Sequence, residues 1–188
     1  MLDPIIILIG GAAGTSKTSN GQRICESYNI AHRIGTGFIR EYTKHFISKS
    51  DNKFLYNFSF TPPENISPFD NLFKQSQPLK SGIDLCIKRA RNEGTSLIVE
   101  GVNIIPGMYN YESSSIQIIF YVNDFDQHYN MIQGKTHSKR IISRDNFLKV
   151  RDIQNKLLEE AKIFNWVTFD LSSDINIITE IGKLIKKG

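Results

Sequence analysis

Ile5-Ile6-Ile7-Leu8-Ile9 runs directly into Gly10-Gly11-Ala12-Ala13-Gly14-Thr15-Ser16-Lys17-Thr18. Five consecutive branched or long apolar residues suit a strand buried on both faces, as in a parallel sheet. The run is too short for a membrane span or for the apolar core of a signal peptide. The loop that follows fits G-x-x-x-x-G-K-[ST] from Gly11 to Thr18, with Ser16 in place of the second glycine. Small side chains at Gly11, Ala12, Ala13, Gly14, Thr15 and Ser16 let successive backbone N–H groups wrap a phosphate, and the following helix aims its unpaired amides at the same point. Lys17 is then expected to reach the β and γ phosphates, and Thr18 to offer its hydroxyl to Mg²⁺. A dinucleotide fingerprint needs G-x-G-x-x-G, a spacing these glycines do not supply. Ser16 carries a penalty: a side chain held at positive φ costs about 1 kcal/mol, and its Cβ crowds the phosphate, so weaker nucleotide affinity is expected.

Outward from this loop, short apolar runs alternate with segments of helical period. Strands are expected at Ile5 to Ile9, Ala31 to Ile34, Ser96 to Glu100, Ile116 to Val122 and Trp166 to Asp170. Helices are expected at Lys17 to Tyr28, Gly37 to Ser48, Phe69 to Asn92, Asp124 to Ile132, Asp145 to Phe164 and Ser173 to Lys186, with Pro78 breaking or kinking the third. The fold class is α/β, a three-layer arrangement around a mostly parallel five-stranded sheet, with residues 1–188 as one domain and a lid segment around 133–151. The proline-rich stretch from Asp51 to Pro68 reads either as a substrate loop or as a surface excursion.

Composition is that of one soluble globular domain: 188 residues, 40% hydrophobic, 11% aromatic and 22% charged. Cys25 and Cys86 lie 61 positions apart and form no CxxC pair or zinc spacing, which makes a reducing cytoplasm the default. A net charge of +4 suits anionic metabolites and nucleic acid alike.

Three further clusters bear chemistry. Glu100 ends the third strand and is followed by Gly101, at the sheet edge where open α/β folds bind ligands. Its carboxylate suits either a hydrogen bond to a water of the Mg²⁺ shell or acceptance of a proton from an attacking hydroxyl. After the second strand come Thr36, Gly37, Arg40 and Glu41. There Arg40 suits clamping an anionic acceptor, and Glu41, four residues after Gly37, shares its helix face and suits standing in for a carboxylate at position 37; an exposed salt-bridged helix is the other reading of both. Six cations, Lys135, Lys139, Arg140, Arg144, Lys149 and Arg151, stand against Asp145 alone between residues 135 and 151. Such a segment suits a lid whose Arg144 and Arg151 stabilise charge on a transferring phosphoryl group.

Together these segments resemble the 2-phosphoglycerate kinase family of P-loop small-molecule kinases. The resemblance rests on Leu8-Ile9-Gly10-Gly11 with the phosphate loop, Ile34-Gly35-Thr36 with Ile39-Arg40-Glu41, and Gln75 with Ser81-Gly82-Ile83. It continues through Arg89-Ala90, Glu93-Gly94-Thr95-Ser96, Val99-Glu100-Gly101-Val102 with Pro106-Gly107, and the helix with Phe147, Val150-Arg151, Ile153-Gln154, Leu157 and Ala161. It implies ATP and Mg²⁺ as cofactors and a phosphorylated hydroxy acid as acceptor, with 2,3-bisphosphoglycerate as product in the type case. It also places Thr36, Arg40, Glu41 and Asn103 on the acceptor side. The chain departs from the family at Gly37, where an aspartate is usual, at Asn103, where a histidine is usual, and at Ser16. It is read as a short form without the additional N-terminal domain of the longer family enzymes. Two other functions are consistent with the residues: a nucleotide-binding regulatory protein that has lost transfer, and a nucleic-acid-binding ATPase or end-processing kinase. Steep salt dependence of single-strand binding marks the second, although nucleic acid is not the expected partner.

Overall fold

The computed structural model describes residues 4–109, 115–133 and 142–186. Strands β1 (Ile6–Gly10), β2 (His32–Gly35), β3 (Leu97–Glu100), β4 (Ser115–Tyr121) and β5 (Val167–Asp170) form one sheet in the order β2-β3-β1-β4-β5. All four pairings are parallel. β1 is central, so Ile6, Ile7, Leu8 and Ile9 are at most 1% exposed, and each contributes about 1.5–3 kcal/mol by leaving water.

Because side chains alternate along a strand, β1 feeds two cores. Ile6 and Leu8 join Leu72, Ile83 and Ile87 from α3 (Pro68–Ser76) and α4 (Lys80–Asn92), and Phe147, Val150, Ile153 and Leu157 from α6 (Arg144–Ile163). Ile7 and Ile9 join Ile24 of α1 (Lys17–Tyr28) and Ile177 and Ile181 of α7 (Ile177–Ile185). The sheet is therefore covered on both faces, giving the expected three layers. The remaining helices are α2 (Thr36–Thr43) and α5 (Phe125–Ile132).

All five expected strands are present within one residue of the expected starts and ends. The expected helix across Phe69 to Asn92 is divided at Pro78: α3 and α4 flank a short 3₁₀ turn, Gln77–Leu79. α2 stops at Thr43 rather than Ser48, because the Tyr56 hydroxyl donates to the Lys44 and Ile47 carbonyls and holds that segment in turns. The proline-rich loop is anchored. The buried Asn71 Nδ2 donates to the Phe58 and Ser59 carbonyls, and the buried Gln75 Nε2 donates to those of Phe54 and Asn57. The loop is therefore sewn to α3, and its Leu55 and Phe60 are buried in the core. Lys135, Lys139 and Arg140, which carry much of the expected lid, lie outside the described residues. Among the described residues, no helix is long and apolar enough to cross a membrane.

Candidate active site

The loop from Gly11 to Ser16 leaves the central strand and turns into α1 at the carboxyl edge of the sheet. Gly11 has φ 141°, and a Cβ there would collide with the Phe120 carbonyl oxygen, so only glycine lets the loop pass the end of β4. Ser16 sits at φ 45°, ψ 29°, the left-handed conformation that the expected glycine would adopt freely. It is the N-cap of α1, yet its side chain makes no capping bond. The helices α3, α5, α6 and α7 are capped by the side chains of Ser67, Asp124, Ser143 and Asn176. α1, α2 and α4 are not; α4 continues directly from the 3₁₀ turn at Gln77–Leu79, whereas α1 and α2 both begin at this edge of the sheet. With no side-chain cap, the opening amides of α1 and α2 suit an external acceptor, the arrangement that binds anions.

Lys17 is only 8% exposed and curls back over the loop. Its Nζ donates to the Ala12 carbonyl at 2.6 Å and to Thr15 Oγ1 at 3.2 Å. The ammonium thus already lies inside the turn, on neutral acceptors that a phosphate oxygen can displace. Thr18 is exposed in the first turn of α1. The donor set fits a nucleotide triphosphate with its magnesium: uncapped amides, one lysine and one hydroxyl. Among the described residues no three His, Cys, Asp or Glu side chains converge, so the cation would be held by Thr18 and phosphate oxygens rather than by a protein cage.

Behind the loop stands a polar assembly. His128 of α5 is fully buried, and its Nε2 lies 2.8 Å from the Ala13 carbonyl oxygen. Arg151 of α6 donates from Nη1 to the Val122 carbonyl at 2.6 Å and from Nη2 to the Asn123 carbonyl at 3.1 Å. It also sits over the Phe125 ring and places Nη1 3.4 Å from His128 Nδ1. Gln154, one turn further along α6, closes on Val122 from both sides: Nε2 donates to its carbonyl and Oε1 accepts from its N–H. Burial pushes the His128 pKa down to about 4, and the nearby positive charges of Arg151 and Lys17 push the same way, against the opposing bond to Ala13. Asp170, at the end of β5, accepts from Asn123 N and from Ser172 N and Oγ. Although burial raises its pKa, these bonds and Arg151 hold its carboxyl below the ordinary value.

The other expected site residues separate into those held at the edge and those occupied elsewhere. Glu100 is 4% exposed and ion-paired, its Oε1 accepting from Arg33 Nη1 at 2.8 Å. It faces Gly21, one helical turn after Thr18, and so lies on the α1 side of the sheet. Thr36 is buried, and its hydroxyl lies against Gly101 without a hydrogen-bond partner. Arg40 is half-buried, with Nη1 3.4 Å from the Asn57 carbonyl. Glu41 is exposed and pairs with Lys44 at 2.7 Å and with Arg40 at 3.6 Å, and the hydrogen bond to Lys44 lowers its pKa. A Cβ on Gly37 would meet nothing within 4 Å. Asn103 is turned inward, its Nδ2 donating to Gln75 Oε1 and Ser76 Oγ, so it is a buried bracket for α3 rather than an open acceptor ligand. Arg144 is the exposed first residue of α6. Arg151 is not a cation waiting on a lid, because two backbone carbonyls already hold it.

His128, Arg33 and Val122 escaped the sequence reading. His128 follows Asp124 by four residues on an expected helix, and its one available signal was its place among the apolar positions of α5.

No family profile matches the chain. Curated proteins do. It is 28% identical over 182 residues to a 2-phosphoglycerate kinase of Methanococcus maripaludis (strain C6), covering 84% of this chain and 56% of that protein. It is 26% identical to the 2-phosphoglycerate kinase of Methanothermobacter thermautotrophicus, covering 98% of this chain and 65% of that protein. With that of Methanopyrus kandleri it shares 28% identity, over 99% of this chain and 63% of the other. The chain thus spans 56–65% of the length of these three relatives. Among solved structures, a gluconokinase from Sinorhizobium meliloti superposes with a TM-score of 0.59 at 12% identity, covering 100% of this chain and 97% of that one. A shikimate kinase from Acinetobacter baumannii in complex with shikimate superposes with a TM-score of 0.54 at 10% identity, covering 98% of this chain and 92% of that one. An all-parallel sheet in the order 2-3-1-4-5, a lysine-bearing loop after its central strand and these two sets of relatives agree: the chain is a P-loop kinase-fold domain related in sequence to the 2-phosphoglycerate kinases.

Proposed function

We propose that this domain binds MgATP and transfers its terminal phosphoryl group to a small anionic hydroxy acid, with 2-phosphoglycerate as acceptor and 2,3-bisphosphoglycerate as product. The observation that carries this reading is the uncapped start of α1 with Lys17 folded into the loop. The loop amides and Lys17 bind and orient the phosphates, with Lys17 exchanging the Ala12 carbonyl for an anionic oxygen. Thr18 would hold Mg²⁺ on the protein side, and the ion would supply charge neutralisation there. Glu100 suits a hydrogen bond to a water of the metal shell better than proton uptake, because a proton there would break its pair with Arg33. The uncapped amides of α2 and the Arg40 guanidinium receive the acceptor's anionic groups. Catalysis then rests on positioning and electrostatics.

A second reading, nucleotide binding without transfer, is favoured by one specific observation: Gly37 offers no carboxylate to take the hydroxyl proton, and Glu41 is already paired with Lys44 and Arg40. Product analysis with MgATP and a panel of phosphorylated and unphosphorylated hydroxy acids separates the two. A bisphosphorylated product supports transfer. Nucleotide binding with no product from any acceptor supports the second reading, and absence of nucleotide binding removes both.

A further inference from the structure

We propose that His128 is a positioning residue for the phosphate loop, fixing the peptide between Ala13 and Gly14 and tying it through Arg151 to α6. The inference rests on the reading of residues 11–18 as a phosphate-binding loop. Hydrogen-bond chemistry sets the tautomer. A carbonyl oxygen only accepts, so His128 Nε2, 2.8 Å from Ala13 O, carries the proton. Nδ1 is then a lone pair, and it faces Arg151 Nη1, which only donates, at 3.4 Å. Both ring nitrogens are thereby assigned, one to the loop and one to α6.

The consequence for the loop follows from peptide geometry. In a trans peptide the C=O and the next N–H point in opposite directions. Fixing the Ala13 carbonyl on His128 therefore turns the Gly14 N–H away from α5. The same helix holds the loop a second time: a Cβ on Gly14 would press on Ile132, which follows His128 by four residues and so shares its face. Gly14 has φ 83°, which a glycine adopts freely, so the contacts from α5 select among conformations open to it rather than relieve strain. Lys17 occupies the neighbouring carbonyl, Ala12 O, but must leave it to meet a phosphate. His128 can stay, so it is the part of this polar assembly that persists through binding.

The test uses the whole chain and three variants. His128→Phe keeps a ring of similar size and removes both polar contacts. His128→Gln retains an N–H near the Nε2 position and so restores the loop bond alone. Phe147→Leu loosens the core against the same imidazole, whose ring centroid lies 5.2 Å away, without touching the loop. Two readouts are taken: amide hydrogen exchange of residues 11–16 without ligand, and MgATP affinity by calorimetry. His128→Phe is expected to speed exchange in the loop at least fivefold and to weaken MgATP binding about tenfold. His128→Gln is expected to recover both to within about threefold, and Phe147→Leu to lower the melting temperature while leaving both near the parent values. Loop exchange in His128→Phe equal to the parent overturns the proposal, as does a loss that His128→Gln does not repair. If the exchange pattern appears as expected but the parent binds no nucleotide, the positioning role stands and the phosphate-loop reading falls.

Discussion

Ser16 offers a direct measure of strain in the loop. At φ 45°, ψ 29° it holds a conformation that costs a non-glycine residue about 1 kcal/mol. Its side chain is exposed and makes no hydrogen bond among the described residues, so Ser16→Gly removes a Cβ without stranding a partner. Against the relief stands the greater freedom of glycine in the unfolded chain, about 0.5–1 kcal/mol. The net is a stabilisation of about 0–0.5 kcal/mol, which for a domain of this size is a rise of up to about 2 °C in Tm. Calorimetric unfolding reads this directly, and titration of MgATP reads the second effect, an affinity equal to the parent's or tighter. Ser16→Ala is the control: it removes the hydroxyl and keeps the strain, and is expected to match the parent within about 0.5 kcal/mol. A clear fall in Tm for Ser16→Gly, or weaker nucleotide binding in both variants, refutes the reasoning and makes the hydroxyl a contributing contact.

Lys17→Ala should weaken MgATP binding by about 10- to 100-fold, the loss of one charge-assisted hydrogen bond to phosphate, with the folded state retained; unchanged affinity in a calorimetric titration would show that the loop does not hold nucleotide. Glu100→Gln keeps the shape but removes the charge that Arg33 meets, so unfolding stability should fall by about 1–2 kcal/mol, and phosphoryl transfer should fall further than ATP affinity. Equal transfer rates in variant and parent would take Glu100 out of the site. His128 predicts a pH dependence of stability. Its pKa is about 4 in the folded chain against an ordinary 6.5, so between those values the unfolded state binds more protons. Stability is therefore fully present above pH 6.5 and falls as pH drops toward 4, by up to about 3 kcal/mol. Urea unfolding across pH 4–7 should show this slope in the parent and a flatter one in His128→Gln; identical slopes would assign the acid sensitivity to other groups.

The fold was legible because each element announces itself locally. Ile5 to Ile9 is apolar without interruption, which suits only a strand covered on both faces, and Gly11 to Thr18 specifies its own turn through residue size and backbone freedom. Pro78 likewise breaks its helix through its own ring and missing N–H. The length of α2 was not local in this sense. Its end is set by Tyr56, whose hydroxyl takes carbonyls that sequence periodicity would have assigned to more helix.

The strand, loop and helix around Gly11 to Thr18 could be read from sequence because the residues are consecutive, and the relationship to the 2-phosphoglycerate kinases because its matching segments recur in order along the chain. The partners of the isolated side chains could not. Asn103, Glu100 and Arg151 each have a residue type that suits catalysis, and tertiary packing decided what each one meets: Gln75 and Ser76 for the first, Arg33 for the second, the Val122 and Asn123 carbonyls for the third. His128 signalled burial alone, by its place among the apolar positions of α5, because its partner Ala13 lies 115 positions away in the chain. A backbone conformation is fixed by sterics within a few residues, whereas a buried polar group is satisfied by whatever donor or acceptor the completed fold brings within 3 Å.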